Sequence, residues 1–558
     1  MIGEHKFHWL RPVKERWPKL DVLLFARLQS RTGVVWLRQD GLRWGVENSF
    51  WVSDDATTLP DTLRSWLRTR RRFAAYGHPA HQLWQAGLVQ DIFDAAGYAC
   101  EFACLDAGYV YASFRCRRRG SRNAAVVFTN LTSLVPQPAI EALTSIFGWA
   151  HGRAGHEASE IDVLGWAELL GGTLSCVCQY LGTPSIAPTA GQFGYRLFRS
   201  RFLLPRDVAK LHEPQLLDYV HTAAASAPVI LGRTGTIDGK WYYVDAHQMY
   251  HYCASAAAVA GYPVCSRYLP GLGEAKSMVR DGPCFAMVEL DRSEYFYPRL
   301  SGPRQWTYNG QPGVTVLCGR ELEFALQCGH VRDVHWISLW EPSVSVQEYG
   351  RFSGNVLLHA KKVLPSFQYK IAKHWLTATY GKFAQEPIRR ERRDDLVPWV
   401  WDGSWEAPGR DGPLTRYEAV DGQVYEVYWD PTYGPRSPQI WASITAYARV
   451  VVHTAAEVAG RGHCVYRDAD CMIVDDTGLS RLAQAGYIRD ELGGWRVKAE
   501  GQSIEINAPR VYRVGELTAH AGVHYRLDFP GSPDWHYSPE AFQRYRLSVY
   551  LPQDGSTA

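Results

Sequence analysis

The sequence predicts a multidomain protein of the α/β (α+β) class, and three observations support this. The chain has 558 residues, enough for three to four domains at roughly 150 residues each. Short apolar runs typical of strands recur in the first third, whereas two long helical patterns lie in the second half. The composition, 46% hydrophobic and 21% charged, is that of a globular protein and excludes a disordered chain.

The first region, residues 1–185, has the pattern of a mixed α/β domain. Three apolar runs predict strands at Val22–Phe25, Val34–Leu37 and Ala124–Phe128. Arginine clusters at Arg70–Arg72 and Arg117–Arg119 interrupt the pattern. Such clusters are typical of a solvated surface or of a surface that contacts a nucleic-acid backbone.

Two later segments, residues 263–350 and 384–438, are rich in Gly, Pro and aromatic residues and carry short strand signals. This pattern predicts β-rich lobes inserted into a larger domain, without long helices in the first of them. A helix is predicted between the lobes, from Ser366 to Tyr380, where Lys373, Thr377 and Tyr380 share one face.

A second long helix is predicted to begin at Ser437 and Pro438, with Ser as the N-cap and Pro in the first helical position, and to end before Gly460. Its apolar residues follow helical spacing and predict a single buried stripe. That stripe consists of Ile440, Ile444, Tyr447, Val451, Ala455 and Val458.

Lysine is scarce and clustered in this chain. The net charge is +3, and only 12 of the 60 basic residues are Lys. Five of the 12 fall within 22 residues: Lys361, Lys362, Lys370, Lys373 and Lys382. A compact ammonium suits phosphate binding, although a solvated helix face explains the cluster equally well. The 12 cysteines show no paired CxxC pattern, so we expect reduced thiols.

Three aspartates are the candidate chemistry-bearing acids. Asp245 ends a predicted strand, and Asp468 and Asp470 form the turn of a predicted hairpin. Each alone is an ordinary turn former. Together with a Lys-bearing helix, however, they are the parts of a phosphoryl-transfer site, where carboxylates hold divalent ions and cations neutralise a triphosphate.

These motifs resemble those of the protein-primed branch of B-family DNA polymerases, found in small linear-genome phages, linear plasmids and related mobile elements. VDAHQMY, residues 244–250, is similar to the family's motif A, and KHWLTATYGKF, residues 373–383, is similar to motif B. YRDADC, residues 466–471, is similar to motif C, and the three occur in the family's order.

The resemblance implies a right-hand polymerase with palm, fingers and thumb, a ribonuclease-H-like exonuclease-type domain and two β-rich insertions. The implied segments are an exonuclease-like domain at 1–185, palm with motif A at 186–262, a first insertion at 263–350, fingers with motif B at 351–383, a second insertion at 384–438, palm with motif C at 439–495 and a thumb at 496–558.

The resemblance also implies residue roles. Asp245 and Asp470, with the Val244 carbonyl, would bind Mg²⁺, or alternatively Mn²⁺, and Asp468 would support them. Four further residues would bind the nucleotide, with Tyr250 as the gate against a 2′-OH: Lys373, Lys362, Tyr250 and Tyr380. Arg510 and Tyr512 would bind DNA by contacting the primer strand, because they stand where the family has a Lys-x-Tyr motif.

The sequence departs from the family in all three motifs and in the first domain. His247, Gln248 and His251 replace family residues in motif A, Thr377 replaces Asn in motif B, and Ala469 and Cys471 replace Thr and Ser in motif C. In the first domain, Phe25 and Arg27 stand where the exonuclease acids are expected, which leaves Asp162 as the one candidate remnant. We therefore expect an inactive exonuclease domain.

The expected function is template-directed DNA synthesis without 3′→5′ proofreading. The expected partners are template-primer DNA and dNTPs, and a terminal protein primer is left open. Two alternatives remain: a specialised polymerase of a mobile element or defence system with unusual priming, and an inactive DNA-binding scaffold. The chain has no apolar run of 18 residues, and its N-terminus is charged, so we expect no membrane association. We also expect a monomer in the cytoplasm of a bacterial host or phage-infected cell.

Overall fold

The structure is a computed structural model of the chain. It describes residues 7–14, 20–28, 31–40, 43–53, 61, 65–66, 72–77, 98–104, 113–118, 124–146, 160–225, 227–291, 294, 296–302, 305–308, 310–385, 388–393, 396, 403–408, 414–420, 423–429, 437–520, 523–524, 536–537 and 548–550. The side chains of the two predicted arginine clusters, Arg70–Arg72 and Arg117–Arg119, lie outside the described residues.

The described strands, in chain order, are β1 Phe7–Trp9, β2 Leu20–Leu28, β3 Arg31–Asp40, β4 Arg43–Ser53, β5 Arg72–Gly77, β6 Tyr98–Cys104, β7 Ser113–Arg118, β8 Ala124–Asn130, β9 Ala209–Leu211, β10 Val229–Leu231, β11 Gly235–Ala246, β12 Ala260–Tyr268, β13 Cys284–Leu290, β14 Arg299–Gly302, β15 Gln305–Thr307, β16 Gly313–Cys318, β17 Val331–Pro342, β18 Ile388–Arg392, β19 Gly403–Pro408, β20 Leu414–Val420, β21 Gln423–Trp429, β22 Cys464–Asp468, β23 Cys471–Asp475, β24 Trp495–Ala508, β25 Val511–Val514, β26 Leu517–His520, β27 Val523–His524, β28 His536–Tyr537 and β29 Ser548–Tyr550.

The described α-helices are α1 Gln137–Ile146, α2 Glu160–Tyr180, α3 Ala190–Arg201, α4 Pro214–Ala223, α5 Met249–Ala256, α6 Leu272–Asp281, α7 Gly319–Gln327, α8 Val344–Val363, α9 Ser366–Ala384, α10 Pro438–Ala459 and α11 Asp476–Gln484. The mixture of helices and strands confirms the predicted α/β (α+β) class.

The first domain is built on a seven-stranded sheet in the order β4-β3-β2-β5-β8-β7-β6, in which β2 pairs parallel with β5 and β5 parallel with β8. The three predicted strands lie inside β2, β3 and β8 and are confirmed. Helix α2 covers β3 and β4, and its Ser175 hydroxyl accepts a hydrogen bond from the Trp44 amide at 2.7 Å.

Helix α2 is also the one described helix that is long and apolar enough to cross a membrane by length and composition. The tested stretch is Ile161–Tyr180, and 56% of its most apolar window is buried inside the protein. Because its inner face packs on the sheet, a core helix accounts for the pattern. The cysteines whose side chains the structure describes are all free, as expected for reduced thiols.

The central sheet has eight strands in the order β26-β25-β24-β11-β23-β22-β10-β29. Its middle strand, β11, is exposed in its first half and buried over its last six residues, where β23 and β24 flank it on both sides. A strand buried in this way carries an apolar run, and Trp241–Val244 is that run. Its end is the point at which Asp245 lies.

Helix α10 begins at Pro438 and ends before Gly460, as predicted. Ser437 is the N-cap residue, as predicted, but its side chain makes no capping bond, because its hydroxyl donates instead to the Ala209 carbonyl at 2.9 Å. The predicted stripe is only partly confirmed: Ile440, Ile444 and Ala455 are buried, whereas Tyr447, Val451 and Val458 are half-buried. Residues outside the stripe are buried as well, because α4 and α7 also pack on the helix.

A four-stranded sheet, β12-β17-β13-β16, and helices α6 and α7 form a lobe beside α10. The fully buried Arg449 of α10 forms an ion pair with Glu321 of α7, with Nε–Oε1 and Nη2–Oε2 distances of 2.7 Å each. A second four-stranded antiparallel sheet, β18-β21-β20-β19, lies between α9 and α10. Strand β12 crosses the predicted boundary at 262/263, and α8 crosses that at 350/351.

Helices α8 and α9 pair next to the central sheet. Helix α9 begins at Ser366, as predicted, and ends at Ala384, four residues beyond Tyr380. It packs closely on α3 because Gly194 has no side chain: a Cβ there would lie 2.5 Å from the Trp375 carbonyl oxygen. Helix α8 approaches α5 in the same way through Gly350, where a Cβ would meet Ala254 at 2.8 Å.

Candidate active site

The two aspartates predicted to bind metal lie side by side. Asp245 is the penultimate residue of β11, and Asp470 lies in the two-residue turn between β22 and β23. The Asp470 carbonyl accepts a hydrogen bond from the Ala246 amide at 2.8 Å, which joins the turn to the end of β11. In this turn Ala469 has φ +45°, a left-handed conformation that non-glycine residues adopt at a cost.

The carboxylates form a dense patch of negative charge. Burial, followed by the charges of Asp245 and Asp468, raises the pKa of Asp470 to about 6 against the opposing charges of Lys498 and Lys373. Asp468 accepts two hydrogen bonds from Arg510, one of them from Nη2 at 2.6 Å. Asp245 accepts one from the Lys498 ammonium. Asp245 and Asp468 thus each have one cation in direct contact, and Asp470 lies in the field of both acids.

This donor set fits a divalent cation. Carboxylate oxygens are the ligands that Mg²⁺ prefers, and a bound cation would favour the ionised form of Asp470, whose pKa burial and the neighbouring acids raise. Among the described residues, no group of three or more His, Cys, Asp or Glu side chains converges as a complete ligand shell. Asp245 and Asp470 would thus hold an ion together with other oxygens, such as those of a substrate phosphate.

Tyr250, the predicted gate, lies on α5 one turn after Asp245. Its ring packs against Trp441 of α10, with 5.3 Å between ring centroids. Burial raises the pKa of its hydroxyl, and the charges of Asp470 and Asp468 raise it further, which places the hydroxyl beside the acid patch. Tyr250 is half-buried.

Lys373 and Tyr380, predicted to share a helix face, have different surroundings. The Lys373 side chain is exposed, and its charge lowers the pKa of Asp470, so it faces the acid patch. Tyr380 is buried, and its hydroxyl lies 3.1 Å from His251 Nδ1. Lys362, at the end of α8, lies 3.6 Å from Asp490 Oδ2 in an exposed ion pair.

His251 explains two of the departures from the family motifs at once. Its Nδ1 lies 2.6 Å from the Ser353 hydroxyl on α8, and its Nε2 lies 3.2 Å from the Thr377 hydroxyl on α9. Burial lowers the pKa of His251 to about 3, so the ring is neutral and bonds as a donor and an acceptor. The residues that replace the family's Pro and Asn thus contact each other and join α5 to both helices.

Arg510 and Tyr512 are both close to motif C. Arg510 has φ +60° in the turn between β24 and β25, and its amide donates to the Tyr466 hydroxyl at 3.0 Å. Tyr512 is 6% exposed and stacks on Tyr243 with 5.8 Å between ring centroids. Arg510 therefore holds Asp468, and Tyr512 belongs to the core of the central sheet.

The sequence reasoning missed Lys498 and Asp490. Lys498 lies on β24 and binds Asp245, while Asp490 lies near both Lys362 and the buried His247, whose Nε2 is 3.2 Å from Asp490 Oδ1. One signal could have pointed to Lys498: it is one of only 12 lysines in the chain, and it lies outside the cluster.

The exonuclease positions are only partly described. Phe25 and Arg27 lie on β2, but their side chains are outside the described residues. Asp162 lies in the first turn of α2 and is half-buried.

Solved structures of phi29 DNA polymerase superpose on the chain over most of its length. The complex with primer-template DNA and incoming nucleotide substrates has a TM-score of 0.58 and 14% identity, and the match covers 88% of this chain and 87% of that one. The post-translocation binary complex with primer-template DNA has a TM-score of 0.56 and 14% identity, with 89% and 86% covered. The chain has the fold of phi29 DNA polymerase.

An orthorhombic crystal form of phi29 DNA polymerase matches 92% of this chain and 90% of that one, with a TM-score of 0.56 and 13% identity. The match to phi29 DNA polymerase confirms the resemblance to the protein-primed B-family polymerases at the level of the fold. Neither a scan against protein-family models nor a search of curated proteins finds a match. The phi29-like fold is therefore seen through tertiary structure and three short motifs.

Proposed function

We propose that this chain is a template-directed DNA polymerase that transfers deoxynucleotides with two divalent ions. The observation that carries the proposal is the juxtaposition of Asp245 and Asp470 at the ends of adjacent strands, with Lys373 facing them from α9. This arrangement does not stabilise the fold, because it raises the pKa of Asp470, and ionisation of Asp470 then lowers the free energy of unfolding.

The proposed roles follow from the surroundings of each residue. Asp245 and Asp470, with the Val244 carbonyl, would hold Mg²⁺ or Mn²⁺, and the chemistry supplied there would be Lewis-acid stabilisation of the attacking and leaving oxygens. Lys373 binds the triphosphate because its exposed ammonium is free to reach a substrate while still within the field of the acids. Tyr250 limits the space next to the sugar, and Asp468 acts through Arg510 as a support.

The architecture extends the proposal. We assign the palm to the eight-stranded sheet, the fingers to α8 and α9, the thumb to the segment from β24 onward and the two insertions to the four-stranded sheets. The seven-stranded sheet, in which β5 pairs parallel with both β2 and β8, supports a ribonuclease-H-like domain. Template-primer DNA and dNTPs are the proposed partners, in line with the DNA and nucleotides bound in the phi29 DNA polymerase complexes. A cytoplasmic monomer, with or without a terminal protein primer, remains part of the proposal.

The proposal is tested by extension of a labelled primer on a DNA template with dNTPs and Mg²⁺ or Mn²⁺. We expect stepwise extension that follows the template and stops when EDTA is added. Asp470→Asn is the matched control, because it removes one charge and keeps the volume. Binding of DNA without any metal-dependent extension would instead identify the scaffold alternative. Extension without regard to the template would identify the specialised synthesis alternative.

The absence of proofreading is a separate part of the proposal, supported by Phe25 and Arg27 at the positions of the expected acids. Incubation with 3′-mismatched DNA and Mg²⁺ without dNTPs is expected to leave the DNA intact. Shortening that persists in Asp470→Asn and disappears in Asp162→Ala would show that the first domain is an active exonuclease.

A further inference from the structure

The side chain of Lys498 is directed at Asp245 by an irregularity in the central sheet. Along β11 and β24, Tyr243 pairs with Ala499 but Val244 pairs with Val497, so Lys498 is the extra residue of a β-bulge. A bulge breaks the alternation of side chains and re-aims one of them, and bulges are frequent next to active sites. Here the re-aimed side chain is the ammonium that binds Asp245 Oδ2.

The choice of residue is informative because this chain strongly prefers arginine. Of its 60 basic residues, 48 are Arg, and the neighbouring carboxylate of Asp468 is held by the two-pronged guanidinium of Arg510. Asp245 is held by Lys, whose ammonium is a compact point charge on a flexible stem. The Lys498 ammonium donates one hydrogen bond to Asp245, and its size and charge suit a position that a metal ion also occupies.

The pair is accessible, in contrast to a structural ion pair. The Lys498 side chain is 34% exposed, whereas the buried Arg449–Glu321 pair is 0% exposed on both sides. The Lys498 charge also lowers the pKa of Asp470, so the ammonium lies within the field of both proposed metal ligands. Lys498 can therefore leave Asp245 for solvent without breaking a packed core.

We propose that Lys498 is a positioning residue that holds the Asp245 carboxylate in the place of a divalent cation and competes with that cation for it. This rests on the proposed function, since it assigns Asp245 to the metal site. When a cation binds, it displaces the Lys498 ammonium from Asp245. The Lys498–Asp245 hydrogen bond breaks, and the carboxylate oxygen is then free to ligate the cation. Lys498 thus sets the divalent-ion concentration that the site requires.

The test measures Mn²⁺ binding to the full-length protein at pH 8 by electron paramagnetic resonance, without DNA or nucleotide. Lys498→Met keeps the length of the stem and removes the charge. A charge-assisted contact to a shielded carboxylate corresponds to about a tenfold change or more in a binding constant. We therefore expect Lys498→Met to bind Mn²⁺ at least about tenfold more tightly than wild type.

Two controls make the result specific to this contact. Lys240→Met removes a lysine of the same sheet that lies 3.8 Å from Glu500, and it is expected to leave Mn²⁺ affinity unchanged. Asp245→Asn in the Lys498→Met background is expected to abolish the gain, because the ion then lacks the freed ligand. In primer extension, Lys498→Met is expected to lower the half-saturating Mg²⁺ concentration by a similar factor.

The outcomes separate the two proposals. Unchanged or weaker Mn²⁺ binding in Lys498→Met overturns the role of Lys498, whether or not the protein extends primers. Tighter Mn²⁺ binding in a protein that extends no primer supports the role of Lys498 and overturns the polymerase. If Lys498→Met does not fold, Lys498→Gln is measured against the same criterion. Lys498→Arg, which keeps the charge, is expected to show no gain, and a gain there would overturn the proposal.

Discussion

Two carboxylates of the central sheet each have a cation partner, yet the two pairs differ in construction. Asp468 and Arg510 make two hydrogen bonds, and Arg510 is fixed by its left-handed backbone and by its amide contact with Tyr466. Asp245 and Lys498 make one, from a bulge on an otherwise regular strand. The Asp468–Arg510 pair therefore fixes the shape of the motif C turn, whereas the Asp245–Lys498 pair lets a divalent cation replace the Lys498 ammonium at Asp245.

The largest expected effect is on the rate of primer extension when Asp245, the carboxylate held by Lys498, is replaced. Asp245→Asn removes an ionised ligand at nearly constant volume, so we expect the rate of primer extension to fall about a thousandfold or more. DNA binding, measured by fluorescence anisotropy, is expected to stay near the wild-type level. A variant that extends primers at a rate close to wild type would remove Asp245 from the metal site.

The fixed carboxylate is expected to behave differently. Asp468→Asn removes the counter-charge that accepts both hydrogen bonds of the Arg510 guanidinium, so we expect the free energy of unfolding to fall by about 2–3 kcal/mol. Urea denaturation measures this loss, and Asp245→Asn serves as the matched comparison with little or no loss. Equal destabilisation by the two substitutions would erase the distinction between the pairs.

Lys373 extends the comparison to a cation that faces the acids across the site. Lys373→Ala removes a charge-assisted contact with the triphosphate worth about 2–3 kcal/mol. We expect the apparent affinity for dNTP to fall by about 30- to 150-fold in steady-state kinetics. Lys276→Ala, on the exposed surface of α6, is the control. An unchanged dNTP affinity would place Lys373 on a solvated helix face.

Asp470 lies between the two pairs, and its pKa predicts a stability effect with a definite sign. The pKa of Asp470 is raised from 3.8 to about 6, so the folded protein favours its protonated form. The free energy of unfolding therefore falls as the pH rises from about 4 to about 6 and Asp470 becomes ionised. In EDTA above pH 6, we expect Asp470→Asn to be more stable than wild type by at most about 3 kcal/mol. The advantage should vanish near pH 4 in urea denaturation, and its absence above pH 6 would contradict the predicted charge cluster.

The smallest expected effect concerns substrate choice at Tyr250. Tyr250→Val removes the ring and leaves the carboxylates in place, so we expect the ratio of rNTP to dNTP incorporation to rise by about tenfold. Tyr250→Phe keeps the ring and is expected to leave the ratio near wild type. If the ratio is the same in all three proteins, Tyr250 is a core aromatic that packs on Trp441 and nothing more.

Several local features follow from the sequence alone. Helix α10 begins at Pro438 and ends before Gly460 because proline suits the first turn and glycine ends a helix, and neither signal depends on the rest of the fold. The apolar runs of β2, β3 and β8 and the turn at Asp468–Cys471 are equally local. The order of three short motifs pointed to the phi29-like fold, although only 14% of residues are identical.

Other features were decided only by tertiary structure. Ser437 donates to Ala209, and residues of α10 outside the predicted stripe are buried, because distant elements pack around the helix. The contact of His251 with Thr377 joins residues 126 positions apart, and that of Lys498 with Asp245 joins residues 253 apart. Sequence periodicity reports which side chains are apolar along one element. It carries no information on which charge the chain brings to a given carboxylate, because strand register and a single bulge determine that pairing.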